Sequence, residues 1–269
     1  MTAALTRPTA APAGIAATPL SAAESSGLDT SVGKALAVLD AFRGDGALLG
    51  VSQIALRANL PKSTTHRLLT VLVDRGYVER ADTRYRLGRA IFELGNMVSD
   101  CRPRSLRSIA MPYMTNLYEA THATVHLAVL DGFDALYVEK IYGHQSVDLP
   151  SRVGGRVPAL CTALGKAMLA FAPHDVREEA LSRPVPRMTP RTIVYQPILR
   201  ATLAQVRTTG IAEDCEGASL GSQCVAAPVI DRRGNVLAAM SMSFPTNVRI
   251  PPTAVQLLKQ SAGLIGDAS

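Results

Sequence analysis

The run from Leu49 to Leu87, LGVSQIALRANLPKSTTHRLLTVLVDRGYVERADTRYRL, restricts the fold of this chain more than any other. Val51, Ile54, Ala55 and Ala58 recur at helical spacing, which makes one face of a first helix apolar. Asn59 follows, and asparagine is one of the few non-glycine residues that tolerate the left-handed backbone ending a helix. Leu60 points back to the core, and Pro61 has its φ already set for the first turn of a new helix. The second helix is predicted from Pro61 to Asp74, with Thr65, Leu68, Leu69 and Leu72 buried. Gly76 then serves as a left-handed cap. Tyr77–Arg80 and Thr83–Leu87 read as strands around Ala81 and Asp82. Helix, tight turn, helix and two-stranded wing together form a winged helix-turn-helix, a module whose second helix lies in a DNA major groove.

The residues left outside that core are suited to nucleic acid. Lys62 and Arg67 can neutralise phosphates, and an arginine also chelates a guanine edge. Ser63 and Thr64 are short donors at the helix start, where free backbone N–H groups favour phosphate. His66 and Thr70 share the outward faces, and Arg80, Arg84 and Arg86 stand where a wing touches the DNA backbone. The charge distribution agrees. Ten basic and six acidic residues lie between Val32 and Glu93, which leaves four of the chain's six net positive charges in less than a quarter of its length.

The remainder divides into segments. Residues 1–29 are rich in Ala, Thr, Pro and Ser, with one Arg and no continuous apolar core. They fail as a secretory signal and read as a disordered tail. Thr30 or Ser31 caps a helix through Phe42, whose apolar positions Val32, Ala35, Leu36, Val38, Leu39 and Phe42 complete a three-helix core; Gly44 and Gly46 break it. The DNA-binding domain therefore spans 30–93. Gly88–Val98, with Ile91, Phe92, Leu94 and Met97, is expected to pack as a further helix or turn at the domain border. Residues 94–120 are read as a linker. Within them Ser105–Ala120 is helical, with a kink at Pro112, and both its faces carry apolar residues, which fits a domain core or a dimer interface equally. Cys101, Cys161, Cys215 and Cys224 form no CxxC pair or finger spacing, so a reducing cytoplasm is the simplest compartment. No apolar run is long enough to cross a bilayer, and only 4% of the residues are aromatic, with no Trp, which argues against a large aromatic ligand cage.

From 121 to 269 the pattern changes. Ala123–Leu130 and Ala135–Ile141 flank the hairpin signal Asp131-Gly132-Phe133-Asp134, and Cys224–Ile230 and Asn235–Ser243 flank a second one at Asp231–Gly234. Val147–Pro150 is a short extended piece and Gly154-Gly155 a loop. Thr162 caps a helix over Ala163–Phe171, and further helices are predicted at Asp175–Leu181, Pro197–Thr208 and Pro252–Ile265. Hairpins in one sheet with helices beside it define an α+β domain.

Three stretches, in order, resemble the IclR family of transcriptional regulators. They are Leu49–Leu69 followed by GYVER and YRLG, then Ala163–Ala170 (ALGKAMLA), then Gly210–Asp214 (GIAED) with Gly221–Val229 (GSQCVAAPV). The resemblance runs from about Thr30 to the C-terminus. It implies a GAF-like effector-binding domain with an antiparallel sheet, joined by a helix to the winged helix-turn-helix. It also implies a homodimer or dimer of dimers controlling a catabolic operon. The chain departs from the family at Asn59, usually glycine, at Ile211, usually aromatic, and at Glu216, which stands alone where paired acids are common. Carried over position by position, the effector site comprises Cys224, the acidic Asp214, and Ser241 and Ser243, which lie two apart and so face one side of a strand. The helix start at Thr162, Ala163, Leu164 and Gly165 would offer N–H groups to a carboxylate, and Leu149 and Val157 an apolar wall. The implied partners are a double-stranded, palindromic DNA operator and a small organic acid, aromatic or short-chain, with no membrane partner. His126 and His144 are further candidate ligand donors. No catalytic residue, metal ligand or cofactor is assigned. Two other classes remain open: a metal sensor built on Cys224, Asp214 and a histidine, and a redox enzyme that brings Cys215 and Cys224 together.

Overall fold

The computed structural model describes residues 30–43, 48–98, 105–144, 147 and 149–269. The expected tail over 1–29, the break at Gly44 and Gly46, and the polar segment at 100–104 lie outside the described residues. The chain divides into two compact units, with the boundary between Val98 and Ser99.

In the first unit Thr30 caps α1 (Ser31–Asp40), its Oγ1 accepting from the Gly33 N–H at 3.0 Å. After β1 (Leu49–Gly50) comes α2 (Val51–Ala58), which ends on Asn59 at φ 53° and ψ 45°, the left-handed cap expected of it. Pro61 precedes α3 (Lys62–Asp74). That helix closes with Gly76 at φ 75°, the Gly76 N–H donating to Val73 O and the Tyr77 N–H to Leu72 O, a Schellman arrangement. The wing strands β2 (Val78–Ala81) and β3 (Arg84–Leu87) turn through Asp82. β1 adds to β3, giving the order β1-β3-β2. A two-residue strand carries no readable alternation, which is why the sequence did not announce it. Val38, Ala41, Phe42, Ile54, Leu69, Leu72, Val78 and Tyr85 form the core.

Two expectations about this unit need correction. Val32 and Leu36 are 70% and 56% exposed. The helix α4 (Arg89–Asn96) forms, but Phe92, Leu94 and Met97 in and after it are 73%, 55% and 63% exposed. Helical spacing identifies an apolar face without saying what covers it.

The second unit begins with α5 (Leu106–Thr121), capped by Ser105 and containing Pro112. Its Ala110, Met114 and Leu117 are fully buried against the sheet and the C-terminal helix, so its inner face belongs to the domain core. The strands β4 (Thr124–Asp131) and β5 (Asp134–Ile141) make the first hairpin. β6 (Arg156–Pro158) follows a loop and was not expected; of the predicted extended piece at Val147–Pro150, no described residue is in a strand. Helices α6 (Ala163–Phe171), α7 (His174–Ser182) and α8 (Gln196–Thr209) lie within two residues of the predicted bounds. A second unexpected strand, β7 (Ala212–Cys215), precedes the hairpin β8 (Ser222–Ile230) and β9 (Val236–Pro245), and α9 (Pro252–Ala268) ends the chain. The six strands form one antiparallel sheet, ordered β6-β5-β4-β9-β8-β7. One face packs on α5 and α9 through Val125, Leu127, Val225, Met240 and Met242. The other packs on α6 through Ala128, Tyr137, Ala226 and Ala239. The result is the α+β class read from the sequence.

Candidate functional site

On α3 the core is built by Thr65, Leu69 and Leu72, with Leu68 half-buried. Lys62, Ser63, His66, Arg67 and Thr70 are consequently solvent-facing, and Thr64 is half-exposed. Among the described residues neither Lys62 nor Arg67 is committed to an ion pair. The wing arginines differ from one another. Arg86 is held by Glu79 across the strand pair at 2.8 Å, and the Arg80 Nε donates to Asp82 O at 2.9 Å. Arg84 is exposed and makes no ion pair among the described residues. Of the three wing cations, Arg84 is therefore the most readily available to a phosphate.

The α6-facing side of the sheet carries a second group. Strand register places Thr124, Ser243, Cys224 and Asp214 in one row, and His126, Ser241, Ala226 and Ala212 in the next. The Cys224 Sγ and Ser243 Oγ lie 3.0 Å apart. Burial pushes the Cys224 thiol up to about 12, helped by the Asp214 carboxylate, so it stays protonated at neutral pH. Asp214 is less available than the sequence suggested. Its Oδ1 accepts from the Lys166 Nζ at 2.6 Å and its Oδ2 from the Gly217 N–H at 2.9 Å. Lys166, from the ALGKAMLA segment, has a side chain only 2% exposed. Sequence reasoning missed it because a lysine inside an apolar helix looks the same whether its charge reaches water or an acid far along the chain.

The helix start fits the expected cap. The Thr162 Oγ1 accepts from the Gly165 N–H at 2.9 Å, so Gly165 has no N–H left for a ligand, while those of Ala163 and Leu164 precede the first intrahelical bond. Gly165 has a different importance, since a Cβ there would stand 2.1 Å from Ala159 O. Val157 is buried and Leu149 half-buried. The loop after Asp214 is closely tied. The Gly221 N–H donates to the Glu216 carboxylate at 2.8 Å, and the Thr189 and Thr192 hydroxyls donate to Glu216 O and Gly217 O.

The sequence marks His126 only as a candidate ligand donor and gives no signal for Tyr137. A β-bulge leaves Val138 without a partner, which puts Tyr137 and Lys140 on the same face as His126 although they are three residues apart. Burial, and then the charge of Lys140, holds His126 down to about 3. The unfolded chain takes up this proton near pH 6.5 and the native state does not, so the protein loses stability as pH falls through that window. His126→Asn is expected to make acid unfolding shallower by about 1.4 kcal/mol per pH unit between pH 5.5 and 4.5, read by urea titrations at each pH. An unchanged slope would mean that His126 titrates normally.

His144 lies in a ring cluster with His122 and Tyr118, beside a groove of about 500 Å³ that Ser243, Phe244, Val248 and Arg249 also line. Cys215 pairs in register with Gln223 and Cys224 with Asp214, so the two thiols point to opposite faces of the sheet and both are free. The redox alternative loses its geometric basis. Among the described residues no three His, Cys, Asp or Glu side chains gather as a metal site, and no helix is long and apolar enough to cross a membrane.

A winged helix-turn-helix with an outward cationic helix, followed by a sensor-like α+β domain, defines a DNA-binding regulator. Residues 31–82 match the IclR helix-turn-helix domain, and residues 101–262 the bacterial transcriptional regulator IclR C-terminal domain. The chain belongs to the IclR family of transcriptional regulators. It is 35% identical over 220 residues to the regulator XynR of Escherichia coli, covering 81% of this chain and 86% of that one. It is 31% identical over 228 residues to the repressor IclR of the same organism, covering 83% and 82%. Among solved structures, an IclR homolog from Microbacterium hydrocarbonoxydans complexed with 4-hydroxybenzoate superposes with a TM-score of 0.80 at 32% identity, covering 88% of this chain and 98% of that one. These relatives are regulators, not enzymes.

Proposed function

We propose that this regulator binds a palindromic operator as a dimer or dimer of dimers, and that a small organic acid, aromatic or short-chain, modulates that binding to control a catabolic operon. The observation that carries the reading is the solvent-facing row of Lys62, Ser63, His66 and Arg67 on α3, left outward because Thr65, Leu69 and Leu72 take the inward positions. Thr64, Arg80, Arg84 and Arg86 extend the contact surface. DNA as the partner implies action in the cytoplasm.

The sensing half rests on Cys224, Ser241 and Ser243, small polar groups on the α6-facing side of the sheet beside Ala128, Ala226 and Ala239. Leu149, Val157, Ala163 and Leu164 complete the wall. The likeness to a homolog complexed with 4-hydroxybenzoate favours an organic acid. A thermal-shift screen of carboxylic acids, with divalent metals beside them, tests this, because a ligand of the native state raises the melting temperature. Stabilisation by an acid that also alters operator affinity supports the reading. Stabilisation by metals alone contradicts it.

The uncovered faces support dimerisation. Val32 and Leu36 on α1, and Phe92 and Leu94 on α4, are among the large apolar residues this unit leaves exposed, and a second copy is the partner a palindrome requires. Phe92→Glu is expected to shift the protein toward smaller assemblies by light scattering and to weaken operator binding about tenfold or more, since a charge buried in an interface costs at least 1.4 kcal/mol. An unchanged mass and affinity would place the interface elsewhere.

A further inference from the structure

The α6-facing side of the sheet holds a hydrogen-bonded chain that the family resemblance did not indicate. The Lys140 Nζ donates to Ser151 O at 2.8 Å and to Ser151 Oγ at 3.1 Å. The Ser151 Oγ lies 2.8 Å from the His126 Nε2, and the His126 Nδ1 lies 3.5 Å from the Ser241 Oγ. His126, Ser151 and Ser241 are all buried. An ammonium only donates, so the Ser151 oxygen accepts from Lys140 and its own hydrogen is free to go to His126. A neutral imidazole that accepts at Nε2 carries its hydrogen on Nδ1. That N–H points toward Ser241 across a gap too long for a strong bond.

Tyr137 is the second element. It is 5% exposed and packs edge-to-face on His126, with ring centroids 5.3 Å apart. Among the described residues its hydroxyl has no hydrogen-bond partner and no buried side-chain oxygen or nitrogen is left unsatisfied, so this oxygen keeps accessible surface. Burial and the proximity of Cys224 and Asp214 push its pKa upward, so it remains a donor. Cys224 also retains accessible surface despite its deep position.

We infer that His126 and Tyr137 determine effector specificity: the His126 Nδ1–H, with the Ser241 hydroxyl, takes the carboxylate, and the Tyr137 hydroxyl takes a second oxygen of the ligand. The effector is then a hydroxy or oxo acid. Lys140 fixes the Ser151 hydroxyl, and through it the tautomer of His126. This rests on the organic-acid reading above and deepens it.

The test uses the full chain and two acid pairs that differ by one hydroxyl, 4-hydroxybenzoate with benzoate and lactate with propionate, measured by calorimetry. For the pair that binds, Tyr137→Phe is expected to weaken the hydroxy acid about tenfold and leave its partner within twofold, without lowering the melting temperature of the free protein. An asparagine amide falls near the Nδ1 position of a histidine and a glutamine amide near Nε2. His126→Asn therefore keeps the donor into the site and His126→Gln keeps the contact to Ser151. His126→Asn should bind within threefold of wild type, and His126→Gln should lose tenfold or more for both acids of the pair. Equal losses in the two His126 variants, or equal effects of Tyr137→Phe on both acids, would overturn the inference. A ligand-free measurement stands beside these: long-range ¹H–¹⁵N spectra at pH 7 should show His126 protonated on Nδ1, and protonation on Nε2 would overturn the assignment. Failure of every acid to bind wild type would instead overturn the organic-acid reading itself, and this inference with it.

Discussion

Replacing Lys166 by methionine is expected to destabilise the C-terminal unit by about 3–5 kcal/mol, the usual cost of removing one partner of a buried ion pair. Methionine fills most of the space of the lysine stem, so lost volume contributes little. The cost comes from Asp214, left with a side chain 7% exposed and only the Gly217 N–H to balance its charge. In a unit of this size such a loss lowers the melting temperature by roughly 10 °C. The effect should spread locally, because Asp214 anchors the turn at Glu216 and Gly217 that Thr189 and Thr192 also hold. Replacing both charges, Lys166→Met with Asp214→Leu, should recover much of the loss, since a buried pair exchanged for apolar residues of similar size is often nearly neutral. A single variant that costs less than 1 kcal/mol would mean that water reaches the pair.

Arg67→Ala should reduce operator affinity by about 100-fold or more while leaving the fold intact. Each arginine–base contact is worth about 1–3 kcal/mol, and a symmetric dimer loses two of them. Arg67 is exposed on α3 with no ion pair, so the folded protein gives up little when it is removed. Arg86→Ala makes the contrasting control. That guanidinium is already engaged by Glu79 and must leave it to reach a phosphate, so its loss should cost less and mainly reduce the salt dependence. Equal effects of the two variants would remove α3 from its place as the reading helix.

How far these sites could be read from the sequence depended on how local their physics is. Asn59 was legible as a left-handed cap because capping involves neighbouring residues, and the structure gives it φ 53°. The hairpins at Asp131–Asp134 and Asp231–Gly234 were legible for the same reason. Lys166 was visible only as a letter in a motif, since its partner lies 48 residues away and no periodicity links them. Regular alternation would put Tyr137 and Lys140 on opposite faces of the strand, and the bulge at Val138 brings them together. Helical spacing predicts Val32, Leu36 and Phe92 as packing residues within the chain, because spacing reports amphipathicity and not the identity of the covering surface. The strands β6 and β7 escaped notice because three or four residues hold too little alternation to separate from loop.

The most direct test is fluorescence anisotropy of the full chain on DNA carrying its own promoter region, against random DNA of equal length, with and without each acid of the panel. The account predicts sequence-specific binding that falls steeply with salt and shifts by about 5- to 150-fold with one acid, the range expected for a coupling energy of about 1–3 kcal/mol. Binding to the promoter no tighter than to random DNA, unaltered by any acid, would contradict it.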